Sequence, residues 1–280
     1  MENLSDLSLP AVGVILPAGG KGLRVGGAEP KQFLPLGSRS SGFGKGARGG
    51  KPMLLYTIEA FHPLEYVKEI VLVLPLERIA IYTKSLSAYA KVKIVAGGEE
   101  RFQSVRNGFA ALSSDLNLIL VHDVARPFVS ESVIERCVRA ASVSVNTNAD
   151  VNSRINVNTG SDVNTNSNLN ECVIAAMPAS DTIKEVADQK ISKTLDRRKL
   201  ILVQTPQVFS RAIFEKIYSS DWEGDIPTDE AQMAERAGYA VKWVLGSEAS
   251  RKVTGAADVV WAEWMAVRIE AGDSLSEFEN

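Results

Sequence analysis

The sequence is poor in the residues that build disulfide frameworks and zinc sites. It has two cysteines, Cys137 and Cys172, and two histidines, His62 and His122, among 280 residues. So few thiols exclude a disulfide framework, and so few imidazoles weaken any zinc-site interpretation. No apolar run approaches the roughly 18–20 residues of a membrane-spanning helix, and the acidic first residues lack the basic start of a secretory signal. We therefore expect a reduced, cytoplasmic protein with no membrane partner.

An excess of basic residues is also missing, because the net charge is −3 and the isoelectric point is about 5.6. Nucleic-acid-binding proteins present a basic surface, so no nucleic-acid partner is expected. The charge is unevenly distributed, however: residues 21–51 carry +6, which leaves −9 elsewhere, and residues 19–50 hold 11 of the 21 glycines. Glycine combined with positive charge is typical of a phosphate-binding loop, although a flexible solvated loop has the same composition.

Short apolar runs alternate with helical periodicity along most of the chain. Continuous runs such as Val12–Leu16 and Leu118–Val121 indicate strands that are buried on both faces of a sheet. Apolar residues recur every three or four positions in 102–112 and 133–141, which predicts helices, and further helices fit 211–219, 229–237 and 256–270. Further strands are expected at 70–74, 93–96, 172–176, 200–203 and 239–244. This order predicts one α/β domain over residues 1–280, with a Rossmann-like, mainly parallel central sheet.

Two segments interrupt this pattern and are predicted to be insertions. Residues 38–50 contain glycine, serine and basic residues and almost nothing that could enter a core. Residues 142–170 contain nine asparagines and two copies of Val-Asn-Thr-Asn. Valine alternating with polar residues is compatible with a polar strand or with disorder. We favour disorder, because so few large apolar groups cannot offset the entropy of ordering so long a segment.

A glycine-rich segment, Leu16–Lys31, follows the first strand. Glycine turns at the carboxyl end of a strand present backbone N–H groups to phosphate oxygens. The glycine spacing is one residue too long for a dinucleotide fingerprint, and no Gly-Lys-Ser/Thr follows as in a P-loop. Two cations, Arg24 and Lys31, beside such a loop suit phosphoryl chemistry, in which negative charge must be stabilised as it is redistributed. Alternatively, both are surface cations of a loop.

Eight motifs occur in order between about Val12 and Ala262 when the two insertions are skipped. They are Pro-Lys-Gln-Phe-Leu at 30–34, Gly-Gly-Glu-Glu-Arg-Phe-Gln-Ser-Val-Arg-Asn-Gly at 97–108, Val-His-Asp-Val-Ala-Arg-Pro at 121–127, Asp-Thr-Ile-Lys at 181–184, Leu-Asp-Arg at 195–197, Gln-Thr-Pro-Gln-Val-Phe at 204–209, Thr-Asp-Glu-Ala at 228–231 and Arg-Lys-Val-Thr at 251–254. Each motif is weak alone, but eight in register are specific. In this set the chain resembles the 2-C-methyl-D-erythritol 4-phosphate cytidylyltransferase family of the nucleotidyltransferase (pyrophosphorylase) superfamily.

The resemblance implies cytidylyl transfer from CTP to 2-C-methyl-D-erythritol 4-phosphate, with release of pyrophosphate, in the non-mevalonate route to isoprenoid precursors. It implies Mg²⁺ or another divalent cation as cofactor, without indicating the metal ligands. It also implies a homodimer with shared active sites, in which a protruding dimerisation arm at about 181–199 reaches the neighbouring subunit.

The resemblance also carries the family's site residues onto matching positions of this chain. Those that match its catalytic residues are Arg24, Lys31, Arg197 and Lys252. Those that match its CTP-binding residues are Pro17, Ala18, Gly19, Gly20, Gly98, Glu99, Ser104, Asp123, Val124 and Lys252. Those that match its contacts to the second substrate are Asp123, Arg126, Thr182, Arg197, Thr205 and Thr228. Gly19 and Val124 stand where the family usually has alanine, and Val124 is expected to tighten the ribose side slightly.

Two residues at the end of the fourth predicted strand admit more than one interpretation. The Asp123 carboxylate could hold a ribose hydroxyl, orient Mg²⁺ or contact the second substrate, or it could cap the next helix. His122 is interpreted as a hydrogen-bonded strand-end histidine, because an attacking phosphate is already ionised at pH 7 and needs no general base. Arg197 and its basic neighbours would, without the resemblance, be interpreted as a solvated charge run.

Two alternative functions stay open. Ribitol-5-phosphate cytidylyltransferase shares the glycine-rich loop and the His-Asp-x-x-Arg-Pro motif, although Thr-Asp-Glu-Ala and Gln-Thr-Pro-Gln favour methylerythritol phosphate. A nucleotide-binding regulatory module without catalysis would not require all four of Arg24, Lys31, Asp123 and Lys252.

Overall fold

Alternating strands and helices build a seven-stranded sheet in the computed structural model of this chain. The structure describes residues 9–19, 30–37, 50–142, 171–220, 222 and 227–279. The strands are β1 (Val12–Pro17), β2 (Pro35–Leu36), β3 (Lys51–Pro52), β4 (Val67–Leu74), β5 (Val92–Ala96), β6 (Leu118–Val121), β7 (Cys172–Pro178), β8 (Lys184–Ala187), β9 (Lys190–Thr194), β10 (Ile201–Ser210) and β11 (Val241–Leu245). The helices are α1 (Met53–Phe61), α2 (Leu76–Ser85), α3 (Arg101–Ala110), α4 (Glu131–Ser142), α5 (Arg211–Ser219), α6 (Glu230–Arg236) and α7 (Ala256–Glu270).

The order of the strands across this sheet is β11-β7-β10-β6-β1-β4-β5. Strand β10 runs antiparallel to both of its neighbours, and the other neighbouring strands are parallel. The predicted α/β class with a mainly parallel, Rossmann-like sheet is therefore confirmed. Because β4 and β6 flank β1 on opposite sides, the strand order reverses beside β1. Open α/β sheets bind ligands at such a reversal, outside the carboxyl ends of the strands.

Helices cover both faces of the sheet, and β1 supplies side chains to both layers. Val14 and Leu16 join one buried cluster together with residues of α1, α2 and α4. Ile15, between them, joins the other cluster with residues of α3, α5 and α6. A strand that is buried on both faces has no polar alternation, which explains the continuous apolar run at this position.

Most predicted elements lie where the sequence placed them. Helices α5 and α7 have the predicted bounds, whereas β10 continues to Ser210, seven residues beyond the predicted end at 203. The predicted insertion at 142–170 lies outside the described residues apart from Ser142, and so does that at 38–50 apart from Gly50. Among the described helices, none is long and apolar enough to cross a membrane.

Strands β8 and β9 form an antiparallel hairpin that is separate from the central sheet. The hairpin lies within the predicted arm at 181–199, and every residue in its two strands is exposed. Val186 and Ile191 pair directly across it, with 66% and 65% of their surface exposed. The hairpin therefore presents apolar side chains to its surroundings.

Helix α3 lies very close to the sheet at Gly108. A Cβ atom there would lie 2.6 Å from Ile15 Cγ2 and 2.9 Å from Val73 Cγ2. Alanine normally stabilises an exposed helix position by about 1 kcal/mol relative to glycine, but overpacking a core costs about 1–3 kcal/mol. We expect Gly108→Ala to lower the free energy of unfolding by about 1–2 kcal/mol in urea denaturation. Arg106→Ala, at an exposed position of the same helix, is the control, and a stabilised Gly108→Ala protein would contradict this close packing.

Candidate active site

The loops at the carboxyl edge of the sheet are fixed by backbone hydrogen bonds to neighbouring strands. The Ala18 N–H donates to the Val73 carbonyl at 2.9 Å, and the Gly97 N–H donates to the Leu74 carbonyl at 2.8 Å. These bonds hold the loop after β1 and the loop after β5 on either side of β4. The two segments predicted to bind CTP therefore lie at one edge of the sheet.

The predicted CTP-binding residues Gly98, Glu99 and Ser104 are ordered around one hydroxyl group. Ser104 is buried, and its Oγ accepts a hydrogen bond from the Gly98 N–H at 3.1 Å. A Cβ atom on Gly19 would lie 3.4 Å from the same oxygen, so the backbone of the loop after β1 approaches it closely. Glu99 is exposed, and its N–H donates to Gln103 Oε1 at 2.8 Å. The structure thus brings Gly19, Gly98 and Ser104 together.

Lys31 lies on a short 3-10 turn that joins two parts of the site. Its Nζ donates to the Val253 carbonyl at 2.6 Å. The next residue, Gln32, donates from Nε2 to the Ala18 carbonyl at 2.7 Å. The turn therefore links the loop after β1 to the segment that contains Lys252.

Three cations surround the Asp123 carboxylate at the end of β6. Lys252 Nζ donates to Oδ2 at 2.6 Å, Arg101 Nη2 lies 3.9 Å from Oδ1, and Arg126 Nε lies 4.0 Å from Oδ2. Burial alone would raise the pKa of Asp123, but the charges of Lys252, Arg101 and Arg126 hold it well below its usual range. The carboxylate is therefore ionised and lies within a positively charged pocket of side chains.

Asp123 does not cap the next helix, so that alternative is wrong. Helix α4 begins at Glu131, and the Val133 N–H donates to Ser130 Oγ at 3.4 Å. The Asp123 carbonyl instead accepts a turn hydrogen bond from the Arg126 N–H at 2.9 Å. The side chain is thus left for the cations.

His122 is buried and hydrogen-bonded through both ring nitrogens. Its Nε2 lies 3.0 Å from the Arg126 carbonyl, which only accepts, so this nitrogen carries the proton. Nδ1 then accepts from the Thr205 hydroxyl at 3.0 Å, and Thr205 Oγ1 accepts from the Asp123 N–H at 3.1 Å. These bonds fix the turn that presents Asp123. They agree with the interpretation of His122 as a strand-end histidine.

The Arg126 guanidinium joins three segments around the site. It donates to the Ser250 carbonyl at 2.8 Å and to the Val203 carbonyl at 3.2 Å. Its buried Nε has no hydrogen-bond partner among the described residues. Two carbonyl groups therefore orient the guanidinium while one donor stays available near Asp123.

An ion pair that sequence analysis missed lies beside this cluster. Arg101 Nη1 and Nη2 donate to the two oxygens of Glu230 at 2.6 and 2.7 Å. Glu230 is completely buried and also accepts from the Tyr218 hydroxyl at 2.8 Å. Such a bidentate pair is strong and directional. Arg101 and Glu230 both lie within the sequence motifs at 97–108 and 228–231, which marks them as candidates. The motifs do not show, however, that α3 and α6 meet.

The predicted contacts to the second substrate are divided between two places. Thr205 lies at the Asp123 turn, and Thr228 is exposed just before α6. Gln207 fixes the start of that helix, since it donates to Asp229 Oδ2 at 3.0 Å and accepts from the Ala231 N–H at 3.1 Å. Because Gln207 pairs with the last residue of β6, the start of α6 lies near the same sheet edge.

Thr182 and Arg197 lie at the base of the β8–β9 hairpin instead. Thr182 is exposed two residues before β8, and Arg197 begins a 3-10 turn after β9. The Arg197 guanidinium donates to the Ser180 carbonyl. Within the described ranges, no hydrogen bond or ion pair joins either residue to Asp123.

The remaining predicted positions differ in what their side chains can reach. Pro17 ends β1 at the site edge. Val124 is 1% exposed and packs in the core, so its side chain does not line a ribose site. Gly20 and Arg24 lie outside the described residues. In the part of the chain that the structure describes, no three His, Cys, Asp or Glu side chains are grouped to hold a metal ion.

The sequence model of IspD, 2-C-methyl-D-erythritol 4-phosphate cytidylyltransferase, matches residues 12–268. The chain belongs to this family. Relatives described as 2-C-methyl-D-erythritol 4-phosphate cytidylyltransferase include one from Syntrophus aciditrophicus, which is 34% identical over 260 residues that cover 91% of this chain and 95% of the relative. Another, from Phocaeicola vulgatus, is 35% identical over 253 residues, with 89% and 97% coverage.

Solved structures described by the same name share the fold. The one from Thermus thermophilus has a TM-score of 0.65 at 27% identity and covers 91% of this chain and 98% of its own. The one from Francisella tularensis has a TM-score of 0.66 at 26% identity, with 91% and 99% coverage. The predicted family and the predicted enzyme class, a CTP-dependent cytidylyltransferase of isoprenoid biosynthesis, are confirmed.

His122 gives the folded protein a measurable sensitivity to acid. Burial lowers its pKa from 6.5 to about 4 despite the Arg126 hydrogen bond and the charge of Asp123. The folded state therefore binds fewer protons than the unfolded state between these values, so stability falls as the pH falls through this window. We expect wild type to lose about 2 kcal/mol of unfolding free energy from this group between pH 7.5 and 5.

The measurement is urea unfolding of wild type and His122→Asn at both pH values. Because asparagine does not titrate, the stability difference between the two proteins should narrow by that amount at pH 5. A stability difference that is the same at both pH values would show that burial does not keep the His122 ring neutral in the folded protein.

Proposed function

We propose that CTP binds at the carboxyl edge of the sheet and that the phosphate of 2-C-methyl-D-erythritol 4-phosphate attacks its α-phosphorus. One P–O bond forms to the attacking oxygen while the bond to the β-phosphate oxygen breaks. The products are 4-diphosphocytidyl-2-C-methylerythritol and pyrophosphate. The observation that carries this proposal is the convergence of Lys252, Arg101 and Arg126 on Asp123 at the strand-order reversal, because phosphoryl transfer depends on positive charge held in place.

The nucleotide half of the site consists mainly of backbone. We assign the ribose and phosphates to the loop Pro17–Gly20 and the cytosine to Gly98, Glu99 and Ser104. Cytosine offers an exocyclic amine and two acceptors, which backbone groups and a fixed hydroxyl can distinguish from uracil. The Gly98–Ser104 hydrogen bond supports this assignment because it holds the segment in one conformation.

Three cations stabilise the charge that moves to pyrophosphate. Arg24 and Lys31 belong to the glycine-rich segment Leu16–Lys31, and Lys252 belongs to the 251–254 segment, which Lys31 contacts through the Val253 carbonyl. Lys31 and Lys252 already have protein acceptors, the Val253 carbonyl and the Asp123 carboxylate. Triphosphate oxygens are more highly charged than a carbonyl and form stronger, charge-assisted hydrogen bonds. Both ammonium groups are therefore placed where a phosphate can take over their contacts.

We propose that Mg²⁺ enters with the triphosphate. Mg²⁺ keeps several waters and is commonly held by one or two carboxylates together with substrate phosphates. The Asp123 carboxylate, at the site edge, would supply one such ligand through Oδ1, since Oδ2 accepts from Lys252, whereas both oxygens of Glu230 are already bonded to Arg101. When bound, the ion would neutralise charge on the phosphates.

The second substrate is assigned to the side of the site that carries Asp123, Arg126, Thr205 and Thr228. The Arg126 Nε supports this assignment, since it is a buried donor beside Asp123 that has no hydrogen-bond partner among the described residues. The Thr205 hydroxyl donates to His122, so we assign it the role of orienting Asp123 rather than of binding the substrate directly.

We propose a homodimer in which Thr182 and Arg197 complete the site of the neighbouring subunit. The exposed Val186 and Ile191 of the hairpin support a protein partner at this hairpin. We further propose a single catalytic domain, which the pairing of β7 and β10 into the same sheet as β1 supports. A reducing, cytoplasmic location is supported by the two free, buried cysteines.

One assay separates this proposal from its alternatives. The protein is incubated with CTP, Mg²⁺ and either methylerythritol phosphate or ribitol phosphate, and pyrophosphate release is followed. We expect release with methylerythritol phosphate. Release with ribitol phosphate alone would identify the other cytidylyltransferase, and CTP binding without release would identify a regulatory module.

Replacing Lys31 by alanine should reduce turnover more than CTP affinity. A cation at the reacting phosphate acts mainly as charge is redistributed, and losing one such contact costs about 3–4 kcal/mol, roughly a few hundredfold in kcat. Steady-state kinetics of Lys31→Ala measure this split. Lys51→Ala is the control, because that lysine belongs to the same basic segment but pairs with Glu59. An unchanged kcat with a raised KM for CTP would refute the assigned role.

Replacing Arg197 by alanine should raise the KM for the polyol phosphate and lower kcat, with CTP binding retained. Its guanidinium can form a bidentate pair with a phosphate and fix it for in-line attack. The mixing experiment uses the Lys31→Ala and Arg197→Ala proteins, each nearly inactive as a homodimer. A mixed dimer contains one site that lacks both residues and one intact site.

Re-equilibrated equal mixtures should therefore recover up to about a quarter of wild-type activity, since half of the dimers are mixed. Arg198→Ala is the control, because Arg198 pairs with Asp196 at 2.9 Å. Absence of recovery, when subunit exchange has been demonstrated, would mean that Arg197 does not serve the neighbouring site.

A further inference from the structure

The carboxylate of Asp258 holds together the two ends of the segment that carries Lys252. Asp258 Oδ2 accepts hydrogen bonds from the Thr254 N–H at 2.8 Å, the Thr254 hydroxyl at 2.6 Å and the Gly255 N–H at 3.0 Å. Its Oδ1 lies 2.9 Å from Arg251 Nη2. These hydrogen bonds, that of the Thr254 hydroxyl above all, lower the pKa of Asp258 to about 2. One buried side chain therefore holds residues on both sides of Lys252 and Val253.

The two residues enclosed in this way each contact the site. The Lys252 side chain reaches Asp123, and the Val253 carbonyl accepts from Lys31 Nζ. The Val253 N–H donates to the Ala125 carbonyl at 2.8 Å, which joins the segment to the Asp123 turn. The backbone path through 252 and 253 thus determines where both ammonium groups lie.

The contacts of Asp258 extend beyond those of a helix cap. It is the third residue of α7, and the residue at the cap position, Gly255, has no side chain to contribute. A carboxylate at the third position often reaches back to the cap N–H. Asp258 makes that contact, but it also holds Thr254 and Arg251, which precede the helix.

We propose that Asp258 is a positioning residue for the transfer reaction, which holds Lys252 directly and Lys31 through the Val253 carbonyl at the transferring phosphates. This role rests on the proposed function, which places both lysines at the triphosphate. Asp258 does not touch the substrates. Its loss lets the 251–255 segment move, and displacement of catalytic groups by about 1 Å can cost on the order of 100-fold in rate.

The test is a mutant cycle between Asp258→Ala and Lys252→Ala, with kcat and both KM values measured for each protein. We expect Asp258→Ala to lower kcat by about 10–100-fold, with a much smaller change in the KM for the polyol phosphate. In the Lys252→Ala background the same change should have a smaller effect, limited to the part that acts through Lys31. Fully additive effects on kcat would overturn the proposal.

A matched variant separates positioning from stability. Ser210→Ala removes the side-chain cap of α5 at the opposite end of the sheet, where Ser210 pairs with the first residue of β6. We expect it to reduce stability without reducing kcat. Asp258→Asn keeps an oxygen acceptor but loses the charge, so it should fold and show an intermediate kcat. If Asp258→Ala does not fold, the same cycle with Asp258→Asn gives the answer.

The outcomes also distinguish this inference from the proposed function. Normal kcat in both Lys31→Ala and Lys252→Ala would refute the lysine roles and the positioning role with them. Low kcat in the lysine variants together with wild-type kcat in both Asp258 variants would overturn the positioning role alone.

Discussion

The site depends on keeping one carboxylate ionised among three cations. Asp123 follows closely after the end of β6, while its cationic neighbours come from α3, from its own turn and from the segment before α7. Like charges this close repel one another, and the attraction of an anion between them offsets that repulsion. Asp123 therefore allows Arg101, Arg126 and Lys252 to converge on one edge of the sheet. The buried Glu230 compensates Arg101 from the other side.

Strand β10 connects the parts of the molecule that meet at this edge. It lies antiparallel between β6 and β7, and its register with β7 shifts between Val203 and Gln207. Within that interval the Gln204 amide donates to the Ser247 carbonyl at 2.9 Å and accepts from its N–H at 3.2 Å. Thr205 and Gln207 bond to the Asp123 turn and to the start of α6. One polar stretch in the middle of the sheet thus fixes three separate segments.

The sequence was sufficient to predict the sheet, because strands buried on both faces produce apolar runs that stand out from their surroundings. The same criterion predicted too short a strand at β10, because the apolar run ends before Gln204. Gln204 and Gln207 are buried polar residues, and their hydrogen-bond partners lie far along the chain. Helices α1 and α2 were not predicted. The first is apolar over most of its length, and the second has only Tyr82 buried, so neither shows a clear apolar face at helical spacing.

The candidate site was predicted only in part, again because long-range contacts are not visible in the sequence. Motifs identified Lys31, Asp123 and Lys252, which the structure brings to one edge. They did not identify what holds them, because Asp258 and Glu230 act through contacts that the motifs do not show. The sequence likewise could not predict that both ring nitrogens of His122 are hydrogen-bonded, since this depends on where Thr205 and the Arg126 carbonyl lie.

The short ladder of β2 and β3 has a consequence for how this chain can change. Pro35 pairs with Pro52 and Leu36 with Lys51, so the two strands that flank the segment between them lie side by side, just after the Lys31 turn. Since the ends of the segment between them are already held together, each doubling of its length adds only about 0.6 kcal/mol of closure entropy. An insertion between β2 and β3 is therefore expected to cost the fold little stability.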